Sequence, residues 1–261
     1  MGESVPLEAL LTHPHGLLIC WPRWDVEAAE KRVEELARLG VEAVVFEGPH
    51  VVETIPVLGK GNTSLVLKVE TRSGVRAAKV RRTDADRAGF DEEARLLRVA
   101  NAVGVGPRLI SWGQFILLME FIDGPYLREW IRGLASGEAE SLRAVIRSLV
   151  LQARRLDEAG LDHGELVRLR RHVMLRGGEP VIIDFESAST GRRVANVTTV
   201  LQSLFLNSNA SSTIGAVIGL PDREILLGAL RNYRKEMSEA SFEELLRVTG
   251  LEKDFTFQAL T

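Results

Sequence analysis

The chain has 261 residues, 45% of them hydrophobic and 26% charged, with a formal net charge of −3. These are the proportions of an ordinary globular protein with one substantial core or two modest ones, and they give no global reason to expect a nucleic-acid or membrane partner. Cys20 is the single cysteine, which excludes an intramolecular disulfide and a zinc cluster of thiolates. No apolar run approaches the roughly 20 residues of a membrane span. The N-terminus lacks the basic start and long apolar segment of a signal peptide, and Pro6 stands where a myristoylation pattern takes Ser or Thr. The expectation is a cytoplasmic protein.

Residues 16–47 predict a small β-α-β unit. The run GLLICW reads as an apolar strand holding Cys20 as a packed, inert thiol. Asp25 is placed to cap a helix that runs through Leu39, with Val26, Ala29, Val33, Leu36 and Ala37 on one face and Gly40 as its stop. VEAVVFEG is a second strand-rich run. From Val51 the pattern changes to strands and short turns: VVETIPVL, SLVLKVE and VRAAKVRR, joined by GKGNT and TRSG. A helix capped by Asp84 is expected to run to about Ala102, followed by the strands PRLISWG and FILLME. After DGP at 123–125 the chain becomes mostly helical. Its clearest helix covers 139–159, with Leu142, Val145, Ile146, Leu149, Ala153 and Leu156 aligned. A hairpin turning at RGGE leads into VIIDFES, and further helices over 193–249 break around SNASS and at GLPD.

Several residues in this order could carry chemistry. In LGKGNTSLVLKV, Gly59 and Gly61 permit close backbone approach to an anion, or they simply make a tight turn. Lys79 sits between apolar neighbours on its strand, and Glu93 lies on the apolar side of the next helix. Burying either charge alone is costly, so the two are expected to pair. FILLMEFIDGP reads as a hinge, a favoured neighbourhood for ligands. LDHGELVRLRRHVML then sets His163, Glu165 and His172 ahead of Asp184 at the end of an apolar strand. Arg168, Arg170 and Arg171 are either a solvated loop or a source of positive charge for a phosphate.

Taken together, these segments resemble the protein-kinase set of a Gly-rich loop, Val-Ala-Ile-Lys, αC Glu, His-Arg-Asp-Leu and Asp-Phe-Gly, over roughly residues 51–210. More narrowly, the chain resembles the atypical archaeal serine/threonine kinases related to the RIO kinases and to the kinase of the KEOPS complex, where His-Gly-Asp-Leu replaces His-Arg-Asp-Leu. The resemblance implies an α+β, two-lobed protein-kinase-like fold. A β-α-β extension over 1–50 would precede a β-rich N-lobe over 51–122 and a helical C-lobe over 123–261 lacking a long activation segment.

It further implies ATP and Mg²⁺ or Mn²⁺ as cofactors, with ATP in the inter-lobe cleft. Gly59, Gly61 and Ser64, the last in place of a third glycine, would form the phosphate loop. Lys79, positioned by Glu93, would contact the α and β phosphates. Glu120 and Ile122, behind Met119, would offer backbone groups to adenine. Asp184 would hold the metal, and Glu165 would orient or deprotonate the acceptor hydroxyl. A two-residue insertion aligns His172 with the family's metal-binding Asn, and imidazole suits Mn²⁺ better than Mg²⁺. Glu186 is a further carboxylate near the metal position. His163 would brace the loop. The implied activity is ATP-dependent phosphoryl transfer to a protein Ser/Thr hydroxyl. The alternatives are a small-molecule phosphotransferase of the aminoglycoside-phosphotransferase type and a nucleotide-binding pseudokinase or slow ATPase scaffold. His13, His15 and His50 take no role in this reading.

Overall fold

Strand β1 (Glu3–Pro6) opens the chain, followed by a single turn of helix, α1 (Leu7–Leu10), and a 3-10 helix over Pro14–Cys20. Here the structure corrects the sequence expectation, because GLLICW is not a strand. His13 Nδ1 caps the turn by accepting the His15 N–H, and Pro14 takes the first helical position. Gly16 passes so close to Leu10 that a Cβ would lie 1.9 Å from its carbonyl oxygen. Leu18, Ile19 and Cys20 are buried in this tight helix. A short apolar run is equally compatible with a buried strand and a buried helical turn, so periodicity alone could not decide it.

The computed structural model describes residues 2–134, 137–206 and 208–252, and divides into two units, residues 1–98 with 107–121 and residues 99–106 with 122–261. In the first, Asp25 Oδ1 accepts the Ala28 N–H and starts α2 (Val26–Arg38), which ends before Gly40 as expected. Strand β2 (Val41–Phe46) follows, then a hairpin of β3 (His50–Val52) and β4 (Ile55–Val57). VVETIPVL is therefore two strands, turning at Glu53 with φ +56. Next come β5 (Gly59–Lys60), β6 (Ser64–Thr71), β7 (Gly74–Arg81), α3 (Asp91–Ala102), β8 (Leu109–Trp112) and β9 (Ile116–Glu120).

The principal sheet runs β1-β2-β6-β7-β9-β8, antiparallel throughout, with β5 also pairing β6. Residues 1–50 thus extend the same sheet as the later strands through β2 on β6. Leu65, Leu67 and Val69 alternate into a core shared with Leu36, Val44, Phe46, Val57 and Leu118. Glu35 of α2 tethers the β8–β9 turn: its carboxylate accepts the N–H groups of Gln114, Phe115 and Ile116 at 3.2, 2.9 and 2.8 Å. Asp84 does not cap α3. Its carboxylate is held by Arg82 at 2.8 and 2.7 Å, and the helix begins only at Asp91.

The second unit contains α4 (Leu127–Gly133), α5 (Ala139–Glu158), a 3-10 turn at Leu166–Arg168, α6 (Leu169–His172) and the hairpin β10 (Val173–Arg176)–β11 (Glu179–Ile182). It closes with α7 (Asn196–Phe205), α8 (Ser208–Ile218), α9 (Arg223–Glu236) and α10 (Glu239–Val248). The apolar stripe of α5 is buried as its spacing predicts. SNASS, however, forms the start of α8 instead of a break, whereas GLPD does separate helices, with Gly219 at φ +78. The protein is an α+β molecule with a mostly antiparallel sheet and a helical part. No helix among the described residues is long and apolar enough to cross a membrane.

Candidate functional site

Lys79 occupies the middle of β7, where Ala77, Ala78 and Val80 are also buried. Glu93 stands on the first turn of α3. Their side chains meet at 2.7 Å, and both are more than nine-tenths buried. Arg87 reaches the other carboxylate oxygen of Glu93 at 3.1 Å and lies over the Phe90 ring, so one carboxylate serves two cations. Replacing such a pair by apolar residues is often neutral or stabilising, which makes a purely structural reason for it weak.

The Gly-rich turn is in the same unit. Gly59 pairs with Val66 across β5–β6, Gly61 donates its N–H to the Ser64 carbonyl at 2.8 Å, and buried Ser64 opens β6. The Lys60 ammonium lies 5.0 Å from the centre of the Trp21 ring, whose neighbourhood also holds the Arg82 guanidinium at 4.1 Å. Arg82 in turn donates to the Gly61 carbonyl at 3.2 Å. Trp21 and Arg82 therefore stiffen this turn, a role sequence reading missed because their contact spans sixty residues. Glu120 ends β9 with its N–H already donated to the Arg108 carbonyl at 2.9 Å. Ile122 is buried, and half-buried Met119 precedes it on β9.

In the second unit, the loop after α5 brings His163, Glu165, His172 and Asp184 together. His172 is buried, with Nε2 2.9 Å from Glu165 Oε2 and Nδ1 3.8 Å from Asp184 Oδ2. Neither ring nitrogen has a well-aligned hydrogen-bond partner. Glu165 also faces Arg168 Nη1 at 3.4 Å and accepts from Ser187 Oγ at 3.3 Å. Arg170 and Arg171 are exposed on α6, and Glu186 is half-buried. Asp184 is exposed and adopts φ +69, one of three described non-glycine residues in the left-handed region. Backbone strain of this kind gathers at functional positions.

His163 is fully buried, as a brace should be. Its Nε2 faces the Ile183 carbonyl at 3.1 Å, Nδ1 accepts the Glu165 N–H at 3.4 Å, and its ring packs edge-on against Phe185. Burial, with the neighbouring His172 ring acting in the same direction, pushes its pKa down to about 4, so the ring is neutral at pH 7. Gly164 has φ +84, and a Cβ there would fall 2.4 Å from Arg192 Nη2 and 2.7 Å from the Ser187 carbonyl oxygen. Only glycine allows the two loops to approach this closely.

Behind the loop lies a polar network that the sequence did not announce. Asn196, at the start of α7, accepts the His163 N–H at 2.9 Å and donates to Leu161 O and Asp157 Oδ1, both at 2.8 Å. Asp157 also receives the Asn196 and Val197 N–H groups and the Tyr233 hydroxyl. Burial raises the Asp157 carboxyl above its ordinary pKa, while these donors pull it the other way. Burial and the Asp157 charge together raise the Tyr233 hydroxyl. Arg154 completes the chain by donating to the Tyr233 oxygen at 3.0 Å. Helices α5, α7 and α9 thus fix the loop from below.

Two ligands of one divalent ion, each bound at about 2.1 Å, stand about 3 to 4 Å apart. His172 Nδ1 and Asp184 Oδ2 meet that spacing, and the unsatisfied buried nitrogens of His172 suit a cation. No protein-family model matches the chain, and no curated protein matches it.

Proposed function

We propose that the protein transfers the γ-phosphoryl group of ATP to a hydroxyl group of a protein substrate, as an atypical kinase-like enzyme. The observation that carries this reading is the buried Lys79–Glu93 pair, an expensive arrangement whose use is to present a fixed ammonium to phosphate oxygens. Supporting it is the loop on which Glu165, His172 and the left-handed Asp184 converge. Asp184 and His172 would hold Mg²⁺ or Mn²⁺. When bound, the ion would neutralise phosphate charge. Glu165 would orient the acceptor hydroxyl and take its proton, and the Ser187 hydroxyl marks where such a donor sits against its carboxylate. His163, neutral and buried, holds the Glu165 and Ile183 backbones in register without transferring protons.

A second reading is a nucleotide-binding scaffold without transfer. It is favoured by one observation, that His172, Arg168 and Ser187 already engage the Glu165 carboxylate. Transfer of labelled γ-phosphate, with Mg²⁺ and Mn²⁺ compared and with protein extract and small-molecule acceptors as separate arms, distinguishes the readings. Glu165→Gln should lose transfer while keeping ATP binding, and Asp184→Asn should lose both. ATP binding without transfer in the unmodified protein decides for the scaffold. No binding at all ends both readings.

A further inference from the structure

The N-terminal segment carries a second cluster of ligating side chains, in the first unit and made of residues that the proposed phosphoryl transfer leaves unused. Glu3 lies on β1, and His13 and His15 flank Pro14 at the entry of the 3-10 helix. Glu3 Oε1 is 3.3 Å from His13 Nε2, and Glu3 Oε2 is 2.9 Å from His15 Nδ1. One ligand atom from each of the three residues falls within 4.8 Å of the others, a property no other group of three His, Cys, Asp or Glu shares among the described residues. Tetrahedral binding at about 2.0 to 2.1 Å sets ligands about 3.3 Å apart, which the two Glu3–imidazole distances approach.

We propose that Glu3, His13 and His15 form a binding site for a divalent transition-metal ion of the Zn²⁺ type, with an open coordination position for water. Two imidazoles and one carboxylate are a donor set for such ions and a poor one for Ca²⁺ or Mg²⁺, which take oxygen ligands. His15 Nδ1 supplies a second, independent observation. This nitrogen is buried and has no aligned hydrogen bond, even to the carboxylate beside it. A buried ring nitrogen without an aligned partner is costly in either tautomer, and a metal would satisfy it.

The ligands are also held in place. Phe46, which pairs with Glu3 across β1–β2, stacks on the His13 ring and meets the His15 ring edge-on at 5.1 Å. The close pass of Gly16 fixes the turn that carries both histidines. All three side chains keep partial exposure, so an ion and its water can enter.

One local bond must yield. His13 Nδ1 accepts the His15 N–H at 3.2 Å, which in the neutral ring leaves the proton on Nε2. Ligation by Nε2 moves that proton to Nδ1 and gives up the cap. The loss of a long neutral hydrogen bond is small beside three metal bonds, so His15 and Glu3 provide the anchoring ligands and His13 closes the set.

The test uses the full chain, stripped with chelator and titrated calorimetrically with Zn²⁺, and with Co²⁺ followed by its visible absorption. One equivalent of Zn²⁺, counted apart from any held at His172 and Asp184, should bind with micromolar or tighter affinity. At a hundredfold excess over Kd the melting temperature should rise by about 5 °C or more. Glu3→Gln lies on an exposed strand position and should weaken binding at least tenfold, and His15→Asn should do the same. His172→Asn should leave this equivalent unchanged. The proposal is overturned if the unmodified chain binds no Zn²⁺ tighter than millimolar. It is overturned equally if the folded Glu3→Gln and His15→Asn proteins bind as the parent does, or if His172→Asn is the change that removes the equivalent.

Discussion

Acidification should weaken the protein through His163, and the size of the effect follows from its surroundings. The ring is fully buried and faces a carbonyl through one nitrogen and a backbone N–H through the other. A second proton would place N–H against N–H at Nδ1. The unfolded chain binds that proton near pH 6.5, and the folded chain binds it only near 4. Between those values the unfolded state holds more protons, so stability is complete above about pH 6.5 and falls as pH drops. Linkage gives a loss of about 1.4 kcal/mol at pH 5.5 and about 2.5 kcal/mol at pH 4.5. Urea unfolding at pH 7.5, 5.5 and 4.5 should show this as a difference between the parent and His163→Gln, which keeps a donor and an acceptor without titrating. The difference matters more than the absolute slope, because the raised Asp157 carboxyl acts with opposite sign in both proteins. Parallel loss in the two proteins, to within about 0.5 kcal/mol, would refute the argument from burial.

Asn196→Ala removes the acceptor for the His163 N–H and a donor to Asp157, and should cost about 2 to 4 kcal/mol, read as a lowered urea midpoint. Glu35→Ala leaves three backbone N–H groups of the β8–β9 turn without their acceptor; a cost of about 2 to 3 kcal/mol is expected, partly restored by Glu35→Gln. Gly164→Ala must push Arg192 and the Ser187 carbonyl away at a positive φ, and should lower stability by about 1 to 3 kcal/mol in thermal unfolding. Lys79→Met leaves Glu93 paired with Arg87, so folding should survive while ATP affinity, measured calorimetrically, is lost; unchanged affinity would remove Lys79 from the proposed site.

Legibility in the sequence followed the range of the forces involved. Helix α5 and strand β6 were readable because their periodicity is local, and β7 because its short buried run, Ala77–Val80, is bounded by turn residues. The Lys79–Glu93 encounter was readable because two charges among apolar neighbours have few other solutions. The Pro14–Cys20 turn was not: its apolar run suits a strand equally, and the deciding contact is Gly16 against the Leu10 carbonyl. The start of α3 was misplaced because Asp84, a good capping residue, is taken by Arg82 two positions before it. Asn196, Asp157, Tyr233 and Arg154 escaped notice since each is an ordinary polar residue until folding brings four distant segments together. The carboxylate–imidazole cluster at Glu3 was invisible for the same reason, with Glu3 and the two histidines ten or more residues apart and all set beside Phe46 of β2.

The pairing of β2 with β6 also decides what a shortened chain would do. Along Lys68–Thr71, β6 finds its neighbour on one side in residues 41–45, while β5 covers only Leu65 and Val66. Removing the first 50 residues would turn an interior strand into an open margin, with unpaired N–H and C=O groups beside Leu67 and Val69. Such a margin is a template for a strand from another molecule. Lys68, now held by Glu47 at 2.5 Å, and exposed Glu70 would be the charges along it that discourage that union. A truncated chain would therefore face strand-on-strand association between copies as well as the loss of the buried residues that run from Val5 to Phe46. The opening segment thus acts as a seal on the sheet as well as a part of its core.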